Sequence, residues 1–191
     1  MQPQEIFDVL TASYGDAVSD FTPAGAATKD AFCKVKAPRL PEVARTLRDH
    51  PQLGFDCLEN LTAVDWPKTS VIEVVYHFYS YDLHHDFIVK VELPRAEPKV
   101  ASLTPLWRGA EWLEREQFDL MGVIFEGHPD LRRLLLPEDW EGHPLRKDYV
   151  QAPEYRGMKT SRPSPLDLLP LFDKHNLEQQ AAAPAGDKVK P

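Results

Sequence analysis

The tetrapeptide EGHP occurs twice, at residues 126–129 and 141–144, and places His128 and His143 among Glu126, Asp130, Glu138, Asp139 and Glu141. Imidazoles beside carboxylates can ligate a divalent metal or pass protons as general acid and base. Either chemistry requires the two rings to converge. The proline after each histidine disfavours the α conformation there, so the helical i,i+4 geometry that unites the ligands of HExxH is closed to both. A conformational reading competes with the chemical one. Gly127 and Gly142 permit unusual backbone angles, each histidine is held extended, and Pro129 or Pro144 fixes the next turn. Two stiff corners are therefore expected, with a stand-alone metal-dependent enzyme using His128 and His143 as the rival.

A second cluster, Glu114, Arg115 and Glu116 with Asp119, gathers carboxylates around an arginine. Burial could raise one carboxyl enough for proton transfer. At helical spacing, however, Arg115 can pair with Glu111 or Asp119, so a charged outer helix face is expected. His84, His85 and Asp86 are expected in a hairpin loop. Between the corners, Arg132 and Arg133 stand beside Leu134, Leu135 and Leu136, a mixture of guanidinium and apolar groups suited to a protein interface. No GxGxxG, GxxxxGK[ST] or GxSxG string is present, and neither cysteine has a motif partner that would activate it. This inventory does not suit a self-sufficient redox or hydrolytic enzyme.

Periodicity suggests the elements that must position these residues. Ile6, Val9 and Leu10 predict a helix over residues 3–13, stopped by Gly15, and residues 16–29 read as loop. Residues 32–36 alternate as a strand, and Pro41 opens a helix carrying Val43, Ala44 and Leu47. Residues 55–66 are β-prone, residues 71–93 read as an antiparallel hairpin, and residues 99–103 add a short strand. In the hairpin Ile72, Val74, Tyr76 and Phe78 face one way, as do Phe87, Val89, Val91 and Leu93. From Pro105 to Gly122 the period is helical, with Leu106, Ala110, Leu113, Leu120 and Met121 as its apolar face. The expected fold is α+β, a two-layer domain with a mostly antiparallel sheet and flanking helices. Its divisions are an α+β domain at 1–121, a turn-rich signature and docking region at 122–150, and an extended tail at 151–191 whose last residues look disordered.

The chain has 191 residues and a formal net charge of −8, which gives no general attraction to nucleic acid or anionic lipid. Cys33 and Cys57 cannot make a disulfide framework or a cysteine-ligated cluster, and read as two buried thiols. The opening residues lack the basic start and apolar run of a signal peptide. No apolar run approaches the roughly 20 residues of a membrane-spanning helix. Direct membrane insertion is therefore not expected.

At residues 114–137 the string EREQFDLMGVIFEGHPDLRRLLLP resembles the signature of the C subunit of respiratory complex I, NADH:quinone oxidoreductase. Its pattern, ERExxDxxG followed by GHPxLRR, matches Glu114, Arg115, Glu116, Asp119, Gly122, Phe125, Gly127, His128, Pro129, Leu131, Arg132 and Arg133. The continuation through His143 and Pro144, DWEGHPLRKDY, also resembles that family. The resemblance implies a peripheral-arm subunit with no flavin, iron–sulfur cluster or quinone site of its own, FMN and the clusters residing in partner subunits. It implies packing against the hydrogenase-large-subunit-like D subunit and other peripheral-arm subunits, on the cytoplasmic side of a bacterial inner membrane. The same module occurs in membrane-bound energy-converting hydrogenases, whose equivalent subunit is an alternative. A proline-punctuated tail with an apolar LDLLPLF patch is expected to lie along a neighbour.

Overall fold

A computed structural model describes residues 1–25 and 28–160. The chain divides into two units, Met1–Tyr149 and Val150–Pro191. In the second, the described residues form a small hairpin, Glu154–Tyr155 with Met158–Lys159, turned through Arg156 and Gly157 at positive φ. The LDLLPLF patch lies outside the described residues.

In the first unit, α1 (Pro3–Tyr14) starts with a proline and a capping box, in which the Gln2 N–H donates to Glu5 at 2.8 Å. It buries Ile6 and Leu10. The segment expected as loop contains β1 (Val18–Thr22), antiparallel to β2 (Phe32–Val35). Only Val18 of β1 is buried, so the strand has no alternation to announce it, and its pairing comes from β2 across the fold. Helix α2 (Leu40–Asp49) buries Leu40, Val43, Ala44 and Leu47 along one stripe.

Three long strands complete the sheet: β3 (Cys57–Trp66), β4 (Val71–Ser80) and β5 (His85–Pro94). Their order is β1-β2-β5-β4-β3. The sheet is mixed: β2 runs parallel to β5, while the other three neighbouring pairs are antiparallel. Ile72, Val74, Tyr76, Phe78, Phe87, Val89, Val91 and Leu93 all point into the core with the buried residues of α1 and α2, as the alternation predicts. His85 and Asp86 begin β5 and are not loop residues. The His85 ring is buried, with Nε2 2.7 Å from the Leu53 carbonyl, and only His84 occupies the turn, at φ 50°. Of the two cysteines only Cys33 is fully buried, where burial pushes its thiol up to about 12; Cys57 is half-buried.

A short parallel pair, β6 (Lys99–Ala101) and β7 (Ile124–Glu126), flanks α3 (Ala110–Met121) in sequence. The helix begins later than expected because residues 104–109 form turns, with Trp107 buried and its indole N–H donating to the Phe55 carbonyl at 3.1 Å. Its facing also differs from the expectation. Glu114, Arg115, Gln117 and Asp119 are buried, Leu113 and Leu120 are half-buried, and Trp112 is exposed. The charged stripe is thus turned inward, where the chain after β7 supplies the partners of Arg115 and Asp119, and Ser102 and Leu103, ahead of the helix, supply those of Glu114.

Candidate functional site around the polar face of helix α3

Each buried polar side chain of α3 has backbone partners distant in sequence. The Arg115 guanidinium donates from Nε to the carbonyl of Arg132 and from Nη2 to that of Arg133, both at 3.1 Å. It also lies against the exposed Trp112 ring, 5.1 Å from its centroid. It does not pair with Glu111 or Asp119, because its planar fork is spent on two successive carbonyls. One Asp119 oxygen accepts the N–H groups of Leu134, Leu135 and Leu136 at 3.1, 2.8 and 2.8 Å; the other accepts Arg133 at 3.2 Å. Burial alone would raise this carboxyl. The three N–H donors and the Arg133 charge outweigh it and hold the group below its usual range. Gln117 binds edge strand β3, accepting from the Ala63 N–H at 3.1 Å.

Glu114 is fully buried, with His128 Nε2 4.0 Å from its Oε2. Its carboxyl accepts the Ser102 hydroxyl at 2.6 Å and the Leu103 N–H at 2.7 Å. Burial raises it to about 7, and those two donors only partly offset the shift.

The first corner follows β7. Gly127 has φ 82°, a conformation that favours glycine, and the chain then turns back so that the His128 ring meets α3. Nδ1 of that ring accepts the Asp130 N–H at 3.0 Å, which leaves Nε2 to donate to the Glu111 carbonyl at 3.1 Å. Pro129 is exposed, Leu131 packs partly buried against the core, and Phe125 is buried. The two arginines separate. Arg133 reaches inward to Asp119 and to the Trp140 carbonyl at 2.9 Å, whereas Arg132 is 72% exposed and touches Asp130 at 2.9 Å.

The second corner closes the far end of the same helix. Gly142 has φ 79°, and a Cβ there would stand 3.1 Å from the Tyr149 ring. His143 donates from Nδ1 to the Asp119 carbonyl at 3.0 Å, the Leu145 N–H to that of Leu120 at 3.1 Å, and Arg146 Nε to that of Met121 at 2.8 Å. These are three of the carbonyls that a helix end leaves without partners, so the segment from His143 to Arg146 is a C-terminal cap supplied from outside the helix. Pro144, half-buried, sets its direction. Gly122, left-handed at φ 74°, ends α3 beneath it.

The histidines of the two corners therefore serve one helix at two heights. Their acceptors, Glu111 and Asp119, are about 12 Å apart at 1.5 Å per residue, so the convergence that a shared metal needs is absent. Among the described residues no group of three or more His, Cys, Asp or Glu could hold a metal ion. Of the remaining signature residues, Glu116 is half-buried. Sequence reading missed a further anchor: Arg95 forks onto Asp65 at 2.6 and 3.0 Å and reaches Asp148 at 2.6 Å, while Asp65 also accepts the Lys147 N–H at 2.9 Å. This fastens the end of the second corner to β3, and its partners are too far apart in sequence for any local pattern to reveal.

Among the described residues no helix is long and apolar enough to cross a membrane. Residues 33–155 match the family model described as respiratory-chain NADH dehydrogenase, 30 Kd subunit. The C subunit of NADH-quinone oxidoreductase from Chlorobium phaeobacteroides is 41% identical over 154 residues, 80% of this chain and 92% of the relative. Its counterpart of the same name from Roseiflexus castenholzii is 50% identical over 120 residues, 62% of this chain and 69% of the relative. Among solved structures, a trypsin-resistant fragment of Nqo5 superposes with a TM-score of 0.56 at 26% identity, covering 69% of this chain and 100% of the fragment. A chain of the membrane-bound sulfane sulfur reductase, an archaeal respiratory membrane complex, shares the fold with a TM-score of 0.64 at 20% identity, over 98% of this chain and 97% of that one. The chain belongs to the 30 kDa subunit family of respiratory-chain NADH dehydrogenase, as a C subunit of NADH-quinone oxidoreductase.

Proposed function

We propose that this chain is a cofactor-free scaffold of the peripheral arm, docking the hydrogenase-large-subunit-like D subunit through the loop between its two corners. In this reading the complex passes electrons from NADH through FMN and iron–sulfur clusters in partner subunits to quinone, with coupled proton translocation. The chain sits peripherally on the cytoplasmic side of the bacterial inner membrane. Its contribution is shape and rigidity.

One observation carries the reading. The backbone of residues 132–136 is fastened to α3 through Arg115 and Asp119, yet the Arg132 side chain is 72% exposed and Leu135 is 62% exposed. A rigid loop presenting an arginine beside a leucine loses little conformational entropy on binding, and arginine is enriched among residues that dominate interface energies. The Arg132→Ala, Leu135→Ala double variant, expressed in its native membranes, tests this. Mild-detergent purification should recover less D subunit while the variant chain keeps its wild-type melting temperature; undiminished recovery overturns the proposal. Removing residues 151–175 should likewise weaken recovery if the tail follows the neighbour's surface.

A further inference from the structure

A groove of about 450 Å³ opens between the start of α3 and the first corner, lined by Thr104, Pro105, Arg108, Glu111, Gly127 and Pro129. From its wall a chain of hydroxyls leads inward. Thr104 Oγ1 lies 2.7 Å from Ser102 Oγ, and Ser102 Oγ lies 2.6 Å from Glu114 Oε2. The Thr104 N–H donates to the same Ser102 oxygen at 3.1 Å and holds it in place. Thr104 is half-buried, Ser102 buried and Glu114 fully buried, so the chain runs from the groove into the core.

The groups that face Glu114 offer it no fixed positive charge. His128, from the corner after β7, stands 4.0 Å away, but its ring nitrogens are engaged elsewhere, Nδ1 with the Asp130 N–H and Nε2 with the Glu111 carbonyl. Tyr76, from β4, is fully buried and its hydroxyl has no hydrogen-bond partner; burial, and then the Glu114 carboxylate, hold its phenol well above the usual range. On α3 itself Arg115 is turned to the carbonyls of residues 132 and 133. Arg108 and Glu111 line the groove.

We propose that Glu114 is a proton-exchange site served from this groove by the hydroxyls of Thr104 and Ser102, storing a single proton beneath the first corner. A proton from groove solvent bonds to Thr104 Oγ1. Thr104 passes its own hydroxyl proton to Ser102 Oγ, and Ser102 passes its own to Glu114 Oε2. One proton is gained in total, at the carboxyl, and no electrons move. Both hydroxyls reverse direction: with Glu114 ionised, Thr104 donates to Ser102 and Ser102 to Glu114; with Glu114 protonated, Glu114 donates to Ser102 and Ser102 to Thr104. Every oxygen keeps its partner in both states, so no heavy atom has to move. Burial, which raises the carboxyl to about 7, puts both states within reach near neutrality.

The test is a pH titration of the full chain labelled with ¹³C at the glutamate carboxyls, the Glu114 signal being assigned by its loss in Glu114→Gln, or through bonds should that variant fail to fold. A midpoint near neutrality is expected. Ser102→Ala removes a donor to the ionised form and should raise it by about one pH unit. Thr104→Val should leave the midpoint in place and slow proton exchange at the carboxyl, and it carries the test by itself if Ser102→Ala does not fold. A midpoint in the ordinary glutamate range, near about 4.3, overturns the site. So does a neutral-range titration of the His128 ring nitrogens in place of Glu114, and an exchange rate unaffected by Thr104→Val overturns the path.

Discussion

The His143 imidazole lies directly over Gly122: a β-carbon at residue 122 would stand 2.5 Å from Nε2 of that ring and 2.9 Å from Nη2 of Arg146. The glycine that ends α3 is thus required twice, by its left-handed φ of 74° and by the cap that the second corner lays across it.

Gly122→Ala should therefore destabilise the chain by about 2–3 kcal/mol, from left-handed strain together with a weakened hydrogen bond to the Asp119 carbonyl. Urea titration measures it. Adding His143→Ala relieves the clash, so the double variant should lose less stability than the two single losses added together.

Asp119→Asn should cost about 3 kcal/mol, because the amide cannot serve three N–H donors and Arg133 as the carboxylate does. The carboxyl is held below its usual value in the folded chain, so its contribution is present above about pH 4 and lost as pH falls through the folded value. Melting temperatures measured downward from pH 5 should decline more steeply in the wild type than in the variant.

Glu114 has the opposite sign. Its carboxyl is raised to about 7 in the folded chain, so the folded state binds the proton more tightly than the unfolded state does. Wild-type stability should fall as pH rises from about 4.5 to about 7, by about 3 kcal/mol, and level off above that. In Glu114→Gln this decline should disappear from a series of urea titrations across that range.

The adjacent arginines should separate in experiment. Arg133→Ala leaves the Trp140 carbonyl and one Asp119 oxygen without their donor, and should lower stability by about 1–3 kcal/mol in thermal denaturation of the isolated chain. Arg132→Ala should change that stability by less than about 0.5 kcal/mol, since its contact with Asp130 is exposed. Under the docking proposal it should instead reduce recovery of the D subunit.

Much of the fold was legible in the residues. The alternation of Ile72, Val74, Tyr76 and Phe78 places one sheet face in the core, and the stripe of Val43, Ala44 and Leu47 does the same for α2, because periods of two and 3.6 are local properties of the backbone. β1 was not legible: its VSDFT residues bury only Val18, and its partner β2 lies beyond residues 23–31, a connection too long to read as a tight hairpin turn. The parallel neighbour β5 was hidden for the same reason, since such a pairing joins segments that share no short turn.

At the site, the residue types and spacings alone identified Gly127, Gly142 and the prolines as backbone devices, because a missing Cβ or a closed ring restricts φ wherever it stands. They also marked Glu114, Arg115 and Asp119 as members of one helix. Which way that helix faces was a tertiary decision. A charged stripe is ordinarily solvated, since burying it costs more than exposed ion pairs return. Here the turning chain of residues 128–149 brings carbonyls to Arg115 and N–H groups to Asp119, and those partners exist only once the corners have folded back. The sequence determined the corners and the helix; only the folded chain decided that the corners clasp the helix by its charged side.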